Sequence, residues 1–247
     1  MDFQNKTVVI TGAGSGIGAG CAKSFAKEGA NVVLADINEN AITEIANEII
    51  AEGGNALAVV TDVTKYTDAK YCCDTAVEKF GSLDVLVTCA GGSELRICGV
   101  YGEFHEIPID VFDFGFDLNL KGAFYFHHAA FSHMVKQKSG VIIPIGSVTG
   151  IDGGSDIAYA GSKSALMNGI VKSLAQAGAK YNIRAVCVAP GPVLTRPAMA
   201  NMKTVLGRAA QPQEIVDLIM YAASEKGAFL NGTYLLADGG RCALHRQ

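Results

Sequence analysis

Short apolar, β-branched runs alternate with longer helical patterns along the whole chain. KTVVIT (6–11), NVVLAD (31–36), ALAVVTD (56–62), LDVLVT (83–88), GVIIPIG (140–146), IRAVCVA (183–189) and TYLLAD (233–238) predict seven strands. Helical periodicity follows most of them. It runs to about residue 29, over ENAITEIANEIIAE, over 67–80, over about 110–137, and through the segment carrying Tyr159. The strand runs are apolar at nearly every position instead of alternating, as expected when both faces of a sheet are covered. Strand–helix alternation predicts right-handed crossovers between parallel strands. The expected fold is α/β, with a doubly wound, mostly parallel seven-stranded sheet. No Pro-rich linker, repeat or low-complexity stretch interrupts the pattern, so residues 1–247 read as a single domain.

Composition supports a large buried core: 49% of residues are apolar and 18% charged. A net charge of −4 gives no electrostatic reason to expect nucleic acid or an anionic membrane as partner. No apolar run approaches the roughly 18 residues of a membrane span. The start, MDFQNKTVVI, lacks a basic segment followed by a long apolar one, so a cytoplasmic protein is expected. The seven cysteines form no C-x-x-C pair and read as reduced, mostly buried thiols. No ligand spacing suggests zinc or another metal. His127, His128 and His133 share a helical pattern and read as packing or interface residues.

Two short stretches carry chemistry. TGAGSGIG (11–18) joins the first strand to the first helix. Gly12, Gly16 and Gly18 there permit positive φ and close approach of backbone to a phosphate, and the helix start offers N–H groups to an anion. Asp36 ends the second strand, where an acid can bind the ribose diol of a dinucleotide. A carboxylate there repels a 2′-phosphate, and no Arg or Lys stands in GAGSGIG or at 36–38 to attract one. The expected cofactor is NAD. The second stretch is YAGSK (159–163). Tyr159 and Lys163 are four residues apart, on one helical face. A free Tyr has a pKa of about 10 and is protonated at pH 7. A nearby ammonium favours the phenolate, which could then serve as a base.

T-G-x-x-x-G-x-G followed by Y-x-x-x-K resembles the short-chain dehydrogenase/reductase family over about residues 5–240. The resemblance implies a Rossmann fold and places further residues. Ser15, Ile17, Ile37, Asp62, Val63, Ala90 and Gly91 would join Gly12, Gly16, Gly18 and Asp36 at the cofactor, with Asp62 at the adenine edge. Pro190, Gly191, Val193 and Thr195 would lie beside the nicotinamide, with Tyr159 and Lys163 holding its ribose. The catalytic set would be Asn119, Ser147, Tyr159 and Lys163: Tyr159 as acid/base, Ser147 polarising the substrate oxygen, Asn119 anchoring a relay water. The resemblance also implies homodimers or homotetramers, with the helix of FYF (124–126) and the Tyr159 helix at a subunit face.

Departures from the family pattern mark where this chain is individual. Cys89 stands where an Asn is usual. The Ser147–Tyr159 spacing is shorter than usual, which leaves Ser155 as a rival serine. The loop 91–110 is longer than usual, and Glu94, Arg96, Glu103 and His105 on it could reach a polar substrate or be solvated charges. The lid at 196–206, within the second substrate loop 190–207, is shorter than usual, suggesting an open pocket or one completed by the long loop or a neighbouring subunit.

The resulting expectation is an NAD-dependent oxidoreductase interconverting a secondary alcohol and a ketone. Its substrate would be a small polar hydroxy compound: a polyol, sugar or hydroxy acid. An apolar alcohol or hydroxysteroid is the alternative substrate. A non-catalytic NAD-binding redox sensor is the alternative function, disfavoured because a sensor needs none of the proton-handling residues.

Overall fold

A computed structural model describes residues 3–244. The strands β1 (Thr7–Thr11), β2 (Asn31–Asp36), β3 (Asn55–Val60), β4 (Val85–Thr88), β5 (Gly140–Pro144), β6 (Ile183–Pro190) and β7 (Thr233–Ala237) form one sheet. Its order is β3-β2-β1-β4-β5-β6-β7, and every neighbouring pair is parallel. The helices in chain order are α1 (Gly16–Lys27), α2 (Glu39–Ala51), α3 (Tyr66–Phe80), α4 (Glu94–Cys98), α5 (Ile109–Phe116), α6 (Gly122–Gln137), α7 (Thr149–Asp152), α8 (Ile157–Ala165), α9 (Val171–Gly178) and α10 (Pro212–Ala223).

The unbroken apolar strands now have their physical reason. Successive strand side chains point to opposite faces, and each face meets a helical layer. Val8 and Ile10 pack with Phe25 of α1, Ile42 of α2 and Ile219 of α10. Val9, between them in sequence, packs with Cys72 of α3, Phe126 and Met134 of α6 and Val171 of α9. The sheet order reverses beside β1, whose neighbours are β2 and β4. A crevice is expected outside the carboxyl ends of β1 and β4.

Three details depart from the sequence pattern. The helical stretch expected over about 110–137 is α5 and α6 joined by a π-helical turn, Asp117–Lys121, and a second such turn, Leu166–Ile170, joins α8 to α9. The loop 91–110 is structured: it holds α4 and a 3₁₀ turn at Phe104–Glu106. Leu95 and Ile107 from it form a small core with Val111, Phe112 and Ala158. Finally, α10 begins with Pro212 and a capping box between Gln211 and Glu214, a start signal present in the sequence. Among the described residues, no helix is long and apolar enough to cross a membrane.

The α6 histidines each take a local partner, and no group of three or more His, Cys, Asp or Glu among the described residues is placed to hold a metal. His128 meets the Tyr66 hydroxyl at 2.8 Å and His133 meets Asp74 at 2.8 Å. His127 is buried, with Nε2 at 3.3 Å from Thr88 Oγ1, and burial pushes its pKa down to about 3. An unfolded His titrates near 6.5. Between those values the unfolded chain takes up a proton that the folded chain refuses. Stability therefore falls as pH drops through that window, by at most about 1.4 kcal/mol per pH unit from this residue. His127→Leu should flatten the acid limb of stability against pH, measured by urea unfolding between about pH 6.5 and 4. An unchanged slope would mean that His127 protonates in the folded state.

Candidate active site

The carboxyl ends of β1, β2, β4, β5 and β6 open into one cleft of about 1120 Å³. Single-ligand pockets typically span about 300–1,000 Å³, so there is room for a dinucleotide and a small substrate. Every residue expected at the cofactor lines this cleft, as do Ser147, Tyr159 and Lys163. Asn119 does not line it and is fully buried.

The Gly-rich turn is shaped by contacts that only glycine allows. Gly12 has φ +65°, and a Cβ on it would lie 2.8 Å from the Ala90 nitrogen. A Cβ on Gly18 would lie 2.2 Å from the Gly12 carbonyl oxygen. The turn thus folds onto itself and onto the end of β4, leaving α1 to start at the cleft. Ser15, the residue before α1, makes no side-chain capping bond, so its hydroxyl and the helix start are available to an anion. Asp36 is fixed across from the turn: Gly14 N donates to one carboxylate oxygen and Asn38 N to the other, both at 3.0 Å. Farther along, Asp62 accepts from Thr64 N at 3.0 Å and from the Thr64 hydroxyl at 2.7 Å. The Thr64 hydroxyl bond, helped by Lys65, holds the Asp62 carboxyl below the usual carboxylate range.

Cys89 fits its unusual position by packing. A hydrogen bond with Cys89 and burial together push the Cys21 thiol of α1 well above its ordinary value. The backbone beside it is held independently, since Ala90 N donates to Thr11 Oγ1 at 3.1 Å.

The reactive-residue candidates come from three elements. Ser147 follows β5, is 7% exposed, and its Oγ accepts from Thr149 N at 3.1 Å. Tyr159 and Lys163 come from consecutive turns of α8. Lys163 is 4% exposed, donates to Ile145 O at 2.7 Å, and sits 5.5 Å from the Tyr159 ring centroid. Ser155 is exposed and does not line the cleft, so the geometry favours Ser147. The Asn119 side chain is committed to backbone: Oδ1 accepts from Gly92 N at 2.8 Å, and Nδ2 donates to Gly92 O at 2.9 Å and Gly115 O at 3.0 Å. It ties the turn after β4 to α5.

In the long loop one charged residue, Glu94, is neither at the cleft nor solvated. Of its four charged candidates only Arg96 lines the cleft. Glu103 caps the 3₁₀ turn in a capping box with Glu106, and His105 is exposed within that turn. Glu94 is fully buried and accepts from Ala158 N at 3.0 Å and Tyr159 N at 3.1 Å. Arg196 and Met199 of the short lid also line the cleft, so the long loop and the lid face one space. The sequence reading missed Asp110, Asp113, Phe114 and Asp117, which line the cleft too. Their i, i+3, i+4, i+7 spacing was the available signal of one helical face.

Comparison with known proteins agrees with this geometry. Residues 6–205 match the family model described as short chain dehydrogenase. The chain is 32% identical to the 7alpha-hydroxysteroid dehydrogenase of Bacteroides fragilis, over 96% of this chain and 95% of that protein. It is 33% identical to the L-rhamnose 1-dehydrogenase (NAD(P)(+)) of Sphingomonas sp., over 96% of each. The crystal structure of gox2181 superposes with a TM-score of 0.90 at 28% identity, covering 98% of this chain and 97% of that one. The chain belongs to the short-chain dehydrogenase/reductase family and is an oxidoreductase of that family.

Proposed function

We infer that the protein uses NAD to interconvert a secondary alcohol and a ketone, with Tyr159 as acid/base and a small polar hydroxy compound as substrate. The observation that carries this reading is that Ser147, Tyr159 and Lys163 share one cleft with the Gly-rich turn and Asp36. That cleft fits a dinucleotide: its volume of about 1120 Å³ leaves room for one, and Gly12 and Gly18 let the turn fold tightly enough to leave the start of α1 at the cleft. Gly12, Ser15, Gly16, Ile17 and Gly18 would hold the pyrophosphate, Asp36 the adenosine ribose diol, and Asp62 with Val63 the adenine. Pro190, Gly191, Val193 and Thr195 would flank the nicotinamide. When bound, the oxidised nicotinamide supplies the hydride acceptor for the carbinol carbon.

This chain's residues handle the proton and the geometry. Ser147 donates to or accepts from the substrate oxygen and holds it near Tyr159. Tyr159 takes the hydroxyl proton in oxidation and returns one in reduction. Lys163, itself buried and aimed by Ile145 O, places its ammonium beside the Tyr159 ring. Arg96 and Arg196, with Asp110, Asp113 and Asp117, make this part of the cleft strongly polar, which supports a polar substrate.

Asp36→Ala should weaken NAD binding by about 10- to 100-fold, the worth of hydrogen bonds to a charged group, and narrow or reverse the preference over NADP. Calorimetric titration of both cofactors reads this, and an unchanged ratio would place ribose recognition elsewhere. The function itself is tested by NADH formation at 340 nm across polyols, sugars, hydroxy acids, aliphatic alcohols and hydroxysteroids. Turnover with polar members is the expected result. Turnover confined to hydroxysteroids would favour the apolar reading, to which the Bacteroides relative and the cleft residues Ile97, Phe114 and Met199 lend support.

A further inference from the structure

A helix begins with backbone N–H groups that have no partner within the helix. In α8 the residue before the first turn, Asp156, makes no capping bond with its side chain. The cap instead comes from another part of the chain. Glu94 reaches from the loop after β4 and takes Ala158 N on Oε1 and Tyr159 N on Oε2, one amide per oxygen. Beside it, Ser93 Oγ donates to Asp156 Oδ1 at 2.8 Å. Asp156 is thereby drawn toward the loop.

The carboxylate is enclosed. Glu94 is 0% exposed. It lies against Gly115 of α5, where an added Cβ would come within 2.9 Å of Glu94 Cβ and 2.8 Å of Ala158 Cβ. Burying a carboxylate is costly unless its oxygens are satisfied. Two amide donors and the positive end of the α8 dipole meet that requirement, at the backbone of Tyr159 itself. The same loop is fixed on its other side by the Asn119–Gly92 pair. The segment 92–94 therefore connects α5, the π turn that holds Asn119, and the first turn of α8.

We propose that Glu94 is a positioning residue for Tyr159: its buried carboxylate, bonded to the Ala158 and Tyr159 amides, fixes the first turn of α8 and so aims the phenol at the reacting oxygen. This rests on the reading of Tyr159 as acid/base. It also gives the long loop a task beyond lining the pocket, because Glu94 shares the short helix α4 with the cleft residues Arg96 and Ile97.

The test uses Glu94→Gln in the full chain, with an alcohol identified from the panel. Gln keeps the volume but has one acceptor oxygen, so it must turn an NH₂ toward one of the two amides. The proposal predicts that Glu94→Gln lowers kcat by about 10- to 100-fold, the scale of a small misplacement of a reacting group, while the Kd for NAD by calorimetry stays within about threefold. Amide hydrogen exchange across 157–163 should rise at least about tenfold, a reading that needs neither substrate nor cofactor. A residue that only fills space gives a Gln variant like wild type; kcat within about twofold of wild type overturns the proposal. So does a parallel loss of NAD affinity, which marks general disruption. If Glu94→Gln does not fold, Ser93→Ala carries the test: a fall in kcat of about threefold or more with NAD affinity unchanged supports positioning by this loop, and an unchanged kcat overturns it. Failure of the underlying reading is distinguishable, because Tyr159→Phe would then keep its turnover whatever Glu94 does to exchange.

Discussion

Tyr159→Phe is expected to lower turnover by about 10³-fold or more while NAD still binds, the loss typical of removing a positioned acid/base. The substitution is clean in this structure. The Tyr159 backbone amide keeps its bond to Glu94, and the aromatic ring beside Lys163 remains. Only the hydroxyl is removed. Lys163 also keeps its bond to Ile145 O, so the charge stays in place. A calorimetric NAD titration together with steady-state kinetics separates the two effects. Retained turnover would show that another group moves the proton.

Gly18→Ala is the second large effect, and it should strike binding rather than chemistry. The new Cβ would lie 2.2 Å from the Gly12 carbonyl oxygen, 2.8 Å from the Gly12 carbonyl carbon and 3.1 Å from Ala13 Cα. All three are backbone atoms, so no side chain can turn aside. The turn or the start of α1 must shift, and Gly12 is itself wedged against Ala90 N. Overpacking of this kind costs roughly 1–3 kcal/mol, so NAD affinity should fall by about 5- to 150-fold, accompanied by a lower Tm. Calorimetry and a thermal melt check both. Near-normal NAD affinity would contradict the role given to the turn.

Sequence showed most clearly what is local or repeated. The central strands announced themselves because both their faces are buried, while the edge strands β3 and β7, only partly buried, still read as apolar β-branched or aliphatic runs. Gly12, Gly16, Gly18 and Asp36 were legible because a tight turn between strand and helix constrains residue type at fixed places. Tyr159 and Lys163 were legible as a pair because helical spacing puts them on one face. Glu94 was not legible. The amides it caps lie 64 and 65 residues away, and nothing local distinguishes it from Glu103, which caps its own turn. The π turn holding Asn119 was hidden because its residues are helix-compatible, and the extra residue per turn is set by packing. Cys89, where the family pattern has Asn, packs against the core that holds Cys21 of α1, a neighbour no local pattern shows, while the adjoining Ala90 amide is held by Thr11.

Transfer of hydrogen from the carbinol carbon is the most direct measurement of the central claim. An alcohol active in the panel, deuterated at that carbon, would be incubated with NAD and the protein, and the NADH examined by mass spectrometry and proton NMR. One deuterium at C4 of the nicotinamide, absent with Tyr159→Phe, is the predicted result. NADH lacking deuterium, or NAD bound with no NADH from any alcohol tested, would contradict it.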